Sequence, residues 1–335
     1  MKLVRRILFW TVAGLAAVGT LGVLSFADLS TGPRSGGQSL RSWIIEYREN
    51  RQVTPRGPPG SPHSVREPLP DEPAMWRRFR RDETPSQRDK AEEAVRAIRR
   101  MGTNCTPALL RWINYEQPLW KQKLYDAVSR FDDPDGDYTF SDKMPADGRE
   151  VRAVNATIAF QILGEAAGAA IPRLGRLAVA TNAAETAERV MECLPYMGRD
   201  GLWELIKVFT NDQLATSLRM TAGCQIGWMR YLGTNARPAV PVLIGYLAST
   251  NANLAQTAAW ALAGLKTDPE ICVPAISNCL HSADTNVRTT AARALMQFGT
   301  DALAASREIG AVIDEGRDSM GPTRMKAWLR RIGAN

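Results

Sequence analysis

Residues 230–247 read RYLGTNARPAVPVLIGYL, in which a glycine, a Thr-Asn pair and two closely spaced prolines precede an apolar run. The motif recurs along the chain. A glycine or, once, a lysine occupies the equivalent position at successive steps of 62, 34, 35, 33, 33 and 34 residues. A period near 34 residues with one longer step indicates an internal repeat interrupted by one insertion. These register positions are Gly102, Gly164, Gly198, Gly233, Lys266, Gly299 and Gly333.

Each repeat is predicted to be a helical hairpin. An alanine-rich stretch such as QTAAWALAGL (256–265) precedes the register position, and its small side chains let neighbouring helices approach closely. A glycine ends this first helix because it adopts a left-handed backbone without steric cost. Prolines such as Pro107, Pro238 and Pro269 suit the start of a second, apolar helix. An Asn or Asp two residues after most register positions can accept hydrogen bonds from the free amides of that second helix. These residues are Asn104, Asp200, Asn235, Asp268 and Asp301.

This pattern resembles the HEAT repeat. The stretch DTNVRTTAARAL (284–295) matches the family pattern at Asp284, Val287 and Arg288 and in its AA…AL run. The resemblance covers about residues 89–335, apart from an insertion at about 116–148. It implies an all-α fold, a right-handed α-solenoid of about six helical hairpins whose second helices line a concave surface. The chain also resembles exported bacterial HEAT-repeat proteins of unassigned role.

Residues 1–27 predict a membrane anchor or a signal peptide. Three cations precede the uncharged run Ile7–Phe26. Twenty helical residues rise about 30 Å, the thickness of the hydrocarbon core of a bilayer. The cations would keep the N-terminus inside the cytoplasmic membrane and place the solenoid on the extracytoplasmic side. Cleavage at a small-x-small sequence ending at Ala27 is the alternative and would give a secreted or periplasmic protein.

Residues 28–88 are rich in Pro, Gly and Ser, which predicts a flexible arm of about 60 residues between the anchor and the repeats. One island within it, residues 39–50, predicts a short helix that could dock on the repeats. The basic excess lies in residues 1–100, which hold 18 Lys/Arg and 11 Asp/Glu. Residues 150–335 hold 18 and 16, so no nucleic-acid partner is expected for the nearly neutral repeats.

Signals for catalysis are weak. The two histidines, His63 and His281, lie in the linker and at a helix end, far from any clustered ligand or nucleophile pattern. No Gly-rich phosphate loop is present in the sequence. We therefore expect neither enzymatic activity nor a cofactor, catalytic residue or metal ligand.

Two further features have mainly structural interpretations. In the acidic stretch 132–142, Asp133, Asp135 and Asp137 are spaced like calcium ligands, but Tyr138 replaces the glycine that such a loop needs. A solvated acidic loop is the favoured interpretation, with calcium binding left open. The five cysteines lack CxxC spacing and are expected to be small buried residues, with a Cys193–Cys224 bridge as the alternative.

One pattern indicates a binding surface. Arg111, Arg173 and Lys207 lie nine residues after the register glycine in three successive units, where they would form a basic row facing an acidic partner. Trp203 and Tyr246 are candidate aromatic anchors, or else packing residues. The leading hypothesis is a non-catalytic protein–protein interaction scaffold, tethered to the lipid bilayer by Ile7–Phe26. The alternative is a small-ligand-binding or enzyme-like domain with its site in the concave groove or the acidic insertion.

Overall fold

The structure is a computed structural model that describes residues 33–50, 85–129, 147–180 and 183–315. The described chain begins with a two-stranded antiparallel hairpin, and helices make up nearly all of the rest. The elements are β1 (Arg34–Ser35), β2 (Gln38–Ser39), α1 (Leu40–Asn50), α2 (Pro85–Met101), α3 (Thr106–Ile113), α4 (Leu119–Ser129), α5 (Gly148–Leu163), α6 (Ile171–Ala178), α7 (Ala184–Cys193), α8 (Gly198–Thr210), α9 (Thr216–Gly227), α10 (Ala239–Leu247), α11 (Ala252–Leu265), α12 (Pro269–Ser277), α13 (Thr285–Phe298) and α14 (Ser306–Glu315).

Six helix pairs follow one another in the described residues: α2/α3, α5/α6, α7/α8, α9/α10, α11/α12 and α13/α14. The first helices pack in order, α5 on α7, α7 on α9, α9 on α11 and α11 on α13. Each second helix packs against the first helix of the following pair, as α10 does against α11. Core side chains are mostly Ala, Leu and Ile, and they form one continuous buried cluster through the pairs. This arrangement is the all-α repeat predicted from the period.

The register positions mark the chain reversals. Every described register residue has a positive φ, including the one lysine. Gly233 has φ 53° and ψ −125°, a combination that side-chain-bearing residues rarely adopt. Lys266 has φ 51° and ψ 34°, the left-handed helical region that an L-residue tolerates at a modest cost. Gly102, Gly164, Lys266 and Gly299 directly follow the last residue of a first helix, as predicted. Helices α7 and α9 end earlier, and 3₁₀ turns connect them to Gly198 and Gly233.

The predicted capping of the second helices is wrong. After most register glycines the chain continues as a 3₁₀ turn, so the next helix starts from backbone that is already helical. The Asp268 side chain caps nothing and instead binds Arg237 of the preceding unit, at 2.9 Å. The described side-chain N-caps belong to first helices, where the preceding backbone is extended: Asp147, Asn251 and Asp284.

Glycines allow direct backbone contact between two first helices, α9 and α11. A Cβ on Gly264 would collide with the backbone carbonyl of Gly227, and a Cβ on Gly227 would collide with the Trp260 ring. The rings of Trp260 and Trp228 meet edge to face beside this crossing, with centroids 5.5 Å apart. The two helix backbones are therefore packed against each other directly.

Helix α1 is part of the folded body. Its buried residues Leu40, Trp43, Ile44 and Tyr47 lie in the same core cluster as α2. The Leu40 amide donates to the Pro33 carbonyl at 3.0 Å, and the Trp43 indole donates to the Ser35 carbonyl at 2.9 Å. Arg48 donates to Asn155 on α5 at 2.9 Å. The expected arm of about 60 residues is therefore divided, because residues 33–50 belong to the repeat body.

The two ends of the insertion are joined by a group of three side chains, Tyr115, Lys121 and Asp147, which we call the insertion clamp. The Tyr115 hydroxyl donates to Asp147 at 2.6 Å, and the Lys121 ammonium lies 3.1 Å from the same carboxylate oxygen. Lys121 also lies 3.4 Å from Glu150. Helix α4 is thereby fixed to the start of α5.

Burial and charge act in opposite directions at this clamp. Burial alone would raise the pKa of Asp147, but bonds from the Tyr115 hydroxyl, the Arg149 amide and Lys121 lower that pKa overall. The pKa of Tyr115 is raised, first by burial and then by its bond to Asp147. The clamp is therefore anionic at its centre at neutral pH, with Lys121 as its counter-ion.

All five cysteines are free thiols, four of them buried and Cys224 partly exposed. The alternative of a Cys193–Cys224 bridge is therefore not realised. Burial raises the pKa of Cys105 and that of Cys272 to about 11.

Within the described ranges one helical stretch, residues 148–178, is long and apolar enough to cross a membrane. It is weak evidence for a span because 61% of its apolar window is buried against other helices and because Gly164 reverses the chain inside it. The predicted anchor Ile7–Phe26 and the acidic stretch 132–142 lie outside the described residues. Both stay predictions.

Candidate partner-binding surface

The basic row lies on the exposed side of the second helices. Arg111 is on α3, Arg173 on α6 and Lys207 on α8, and all three are exposed. Each lies nine residues after a glycine of positive φ, so the three occupy equivalent places in successive units. Helices α6 and α8 pack against each other, which brings Arg173 and Lys207 to neighbouring positions. We call the exposed side of the second helices the second-helix face.

The charge on this row is unevenly compensated. The Lys207 ammonium lies 2.7 Å from Glu204, one helical turn away. The Glu204 side chain is held in place because it packs over Gly175 on α6, where a Cβ would collide with it. Arg111 and Arg173 have no ion pair to any other described residue. Two guanidinium groups are therefore available to an acidic ligand.

Sequence reasoning missed a third exposed guanidinium. Arg176 lies one turn after Arg173 on α6 and is also exposed. It stands twelve residues after its register glycine, a position that is Thr210 in the next unit and Gly245 in the one after. Examining the residue one helical turn after each member of the basic row would have identified Arg176.

A second row on this face carries no charge. The residues five positions after each described register residue are uncharged, and all are at least partly exposed. Trp203 is 40% exposed and Ile271 is 54% exposed, although both are large apolar side chains. Sequence reasoning found only Trp203, and the register would have identified the others. This uncharged row consists of Pro107, Ala169, Trp203, Pro238, Ile271 and Ala304.

Tyr246 is already engaged within the fold. Its ring packs on Phe209 with centroids 4.6 Å apart, and its hydroxyl accepts from Arg219 at 3.0 Å. The Arg219 guanidinium also lies 5.6 Å from the ring centroid. These contacts join α10 to α8 and α9, so Tyr246 acts as a packing residue between these helices.

The second-helix face changes character along its length. The basic row covers the first three units, and helix α10 of the fourth unit contains no charged residue. The corresponding positions Val242 and Ala275 are uncharged and partly exposed. In the last described unit Glu308 stands at this position, 3.7 Å from His281. A ligand lying along the face would meet cations at one end and an apolar surface beyond them.

The described residues bring together no group of three His, Cys, Asp or Glu side chains that could hold a metal ion. Chemically, the second-helix face offers guanidinium donors and exposed apolar side chains. Such a surface can bind carboxylates and apolar groups of another molecule.

One family model agrees with the repeat architecture. The family model described as HEAT repeats matches residues 230–308, which span helices α10 to α13. No curated protein matches the chain. A crystal structure of an engineered protein is similar at 18% sequence identity and a TM-score of 0.39, covering 68% of this chain and 94% of that one. The family match thus identifies HEAT repeats in residues 230–308, and the units before them show the same helix pairing.

Proposed function

We propose that the protein is a non-catalytic scaffold that binds an acidic segment of a protein partner along its second-helix face. HEAT repeats generally mediate protein–protein interactions, which gives the class of function. The observation that carries the proposal is an exposed uncharged row beside a basic row, two of whose three members are guanidinium groups with no ion pair to a described residue. A contiguous exposed apolar surface indicates a binding site, and Trp203 and Ile271 lie in one uncharged row with Pro238 between them.

The basic row and the uncharged row are expected to contribute differently to binding. Arg111 and Arg173 can bind carboxylates through two parallel hydrogen bonds each, which fixes the direction of an extended ligand. Exposed ion pairs contribute only about 0.2–1 kcal/mol each. The larger share of affinity is therefore expected from burial of Trp203 and Ile271 against apolar side chains of the partner.

The proposal includes a location. The run Ile7–Phe26 would anchor the protein in the cytoplasmic membrane with its repeats on the extracytoplasmic side, or cleavage near Ala27 would release it. The support for this part is the length and hydropathy of the run and the cations before it. A reporter that is active only outside the cytoplasm, fused after Asn335, should be active; an inactive reporter would refute the topology.

Site-specific photocrosslinking tests the binding surface. A photoreactive phenylalanine analogue is placed at Trp203 and, as the matched control, at Gln297, which is exposed on the first helix α13. The expected result is a partner crosslinked at position 203 through an acidic segment, with no equivalent product at position 297. Equal crosslinking at both positions, or a crosslinked segment that lacks acidic residues, would contradict the proposal.

Charge reversal then tests the basic row with the purified partner. Replacing Arg111, Arg173 and Lys207 together by Glu removes three exposed attractions, which should weaken binding by roughly 10–100-fold. Binding by the unaltered chain should also weaken as salt is raised. Stoichiometric bound metal or organic ligand in the purified protein would instead favour the ligand-binding or enzyme-like alternative.

A further inference from the structure

Helix α4 carries the largest group of exposed apolar side chains in the described part of the chain. Leu119 is 74% exposed, Trp120 is 62% exposed and Leu124 is 44% exposed. Lys123 is exposed beside them, and none of the described side chains of α4 is buried. Because these positions share one side of a helix, they form a single apolar face that the repeats leave uncovered. We call these four residues the α4 face.

The α4 face is joined to the repeat body through Lys121. Its own Lys121 binds Asp147 and Glu150 at the start of α5 through the insertion clamp. These two carboxylates also neutralise Lys121, which leaves Lys123 as the exposed cation on this side of the helix. The face is therefore linked to the start of α5 and has little net charge.

The folded body begins very close to the predicted anchor. The apolar run ends at Phe26, and Pro33 is already bonded to α1 through the Leu40 amide. Only residues 27–32 lie between them. At about 3.6 Å per residue, the chain from Phe26 to Pro33 reaches at most about 25 Å. An anchored protein therefore keeps Pro33, the start of its repeat body, within about 25 Å of the end of the apolar run.

The same helix, α5, contacts both α1 and α4. Helix α1, which follows Pro33, bonds to Asn155 on α5 through Arg48. The clamp holds α4 to Glu150 on α5. Five residues of helix separate these two attachment points, which is about 7.5 Å of rise. Eight residues of α1, about 12 Å of rise, separate Arg48 from Leu40, which bonds to Pro33, so α5 links the α4 face to the element that follows the anchor.

We propose that the α4 face lies in the headgroup region of the bilayer that holds Ile7–Phe26. This rests on the membrane anchoring in the proposed function. Trp and Leu side chains with an adjacent Lys are the composition of helices that lie at a membrane surface, where Trp prefers the interface and Lys extends to water. The consequence is an orientation, in which the repeat body is fixed relative to the membrane by both the anchor and α4.

The chemistry favours lipid in general over anionic lipid in particular. Lys121 is already paired, and the stretch 132–142 that follows α4 in the sequence is acidic. Apolar contact, which salt does not screen, therefore dominates the expected interaction.

The test uses the full chain reconstituted into phosphatidylcholine vesicles with brominated acyl chains. An environment-sensitive fluorophore is attached at Leu119→Cys, or at Ile271→Cys as a matched exposed apolar position on the second-helix face, in a Cys224→Ala background. Bilayer bromine should quench the label at position 119 and leave the label at position 271 unaffected. Quenching should persist at high salt and be lost in the Trp120→Ser, Leu124→Ser variant.

Vesicle flotation distinguishes failure of the membrane anchor from failure of the α4 contact with lipid. A protein that floats with vesicles while position 119 is unquenched refutes contact of α4 with lipid and leaves the anchor intact. A protein that does not float refutes the anchor and the contact together. A protein crosslink formed in native membranes by a photoreactive group at position 119 would assign the α4 face to a protein partner and likewise overturn the proposal.

Discussion

Two glycines of the fourth unit should respond to alanine in opposite directions. Gly233 has φ 53° and ψ −125°, and Gly245 lies inside helix α10. A Cβ at either position would meet no other atom within 4 Å. The two substitutions therefore differ only in the backbone conformation that alanine must adopt, and packing does not confuse the comparison.

The magnitudes follow from this difference. Gly233→Ala should cost about 1–3 kcal/mol, because alanine is forced into a sparsely populated region of φ and ψ. Gly245→Ala should stabilise the protein by about 0.5–1 kcal/mol, because alanine favours a helix more than glycine does. For a body of this size, each kcal/mol corresponds to roughly 2–4 °C in melting temperature.

Urea unfolding followed by circular dichroism at 222 nm measures both variants against the unaltered chain. The account predicts a lower urea midpoint for Gly233→Ala and a higher one for Gly245→Ala. If Gly233→Ala were neutral or stabilising, the left-handed reversal at the register position would not exist in solution, and the register on which both surface rows depend would be wrong.

Three further predictions address packing, the insertion clamp and the cysteines. Gly264→Ala should destabilise the protein by about 3 kcal/mol in the same urea assay, because its Cβ would collide with the Gly227 backbone; a neutral effect would contradict the close α9–α11 crossing. The pKa of Asp147 in the folded protein is lowered below its ordinary value. The contribution of Asp147 to stability is therefore complete at neutral pH and is lost as pH falls through this folded-state pKa, below about pH 4. Asp147→Asn keeps the helix cap, should cost about 1 kcal/mol at pH 7, and should remove this part of the acid dependence measured by thermal unfolding; an unchanged pH profile would contradict the clamp. In the native protein, iodoacetamide at pH 8 should modify Cys224 before Cys105, whose burial raises its pKa to about 11, as read by mass spectrometry; the reverse order would contradict their burial.

The repeat could be predicted because its signal is local and periodic. The spacing of register residues identified the chain reversals, and it did so even at Lys266, where the residue type alone predicts nothing. The capping of the second helices could not be predicted in the same way. Whether an aspartate such as Asp268 accepts from a helix amide or binds Arg237 depends on the 3₁₀ turns between helices and on the neighbouring unit.

The candidate surface was predictable only in part. Exposure of Arg111, Arg173 and Lys207 follows from the register, and the structure places all three on the second-helix face. The engagement of Tyr246 by Phe209 and Arg219 depends on three helices that meet only in the folded protein. The α4 face lies in the insertion, where the repeat gives no guide to packing.

The largest difference from the predicted N-terminal region is the packing of α1 on the repeats. Composition predicted a long arm, because proline and glycine dominate residues 28–88. The apolar side of α1 nevertheless packs on the repeats. Truncating a buried aromatic residue such as Trp43 usually costs about 3–5 kcal/mol, so its burial stabilises this contact substantially. The short connection from Phe26 to Pro33 follows from this contact.

The central claim is that the basic row recognises acidic residues of a partner, and a charge-swap experiment tests it most directly. Once crosslinking has mapped the partner's acidic segment, that segment is altered from Asp and Glu to Lys. The altered segment should bind weakly to the unaltered chain and regain affinity for the variant in which Arg111, Arg173 and Lys207 are all Glu. Failure of the swapped pair to regain affinity, in binding measured at fixed salt, would contradict the claim.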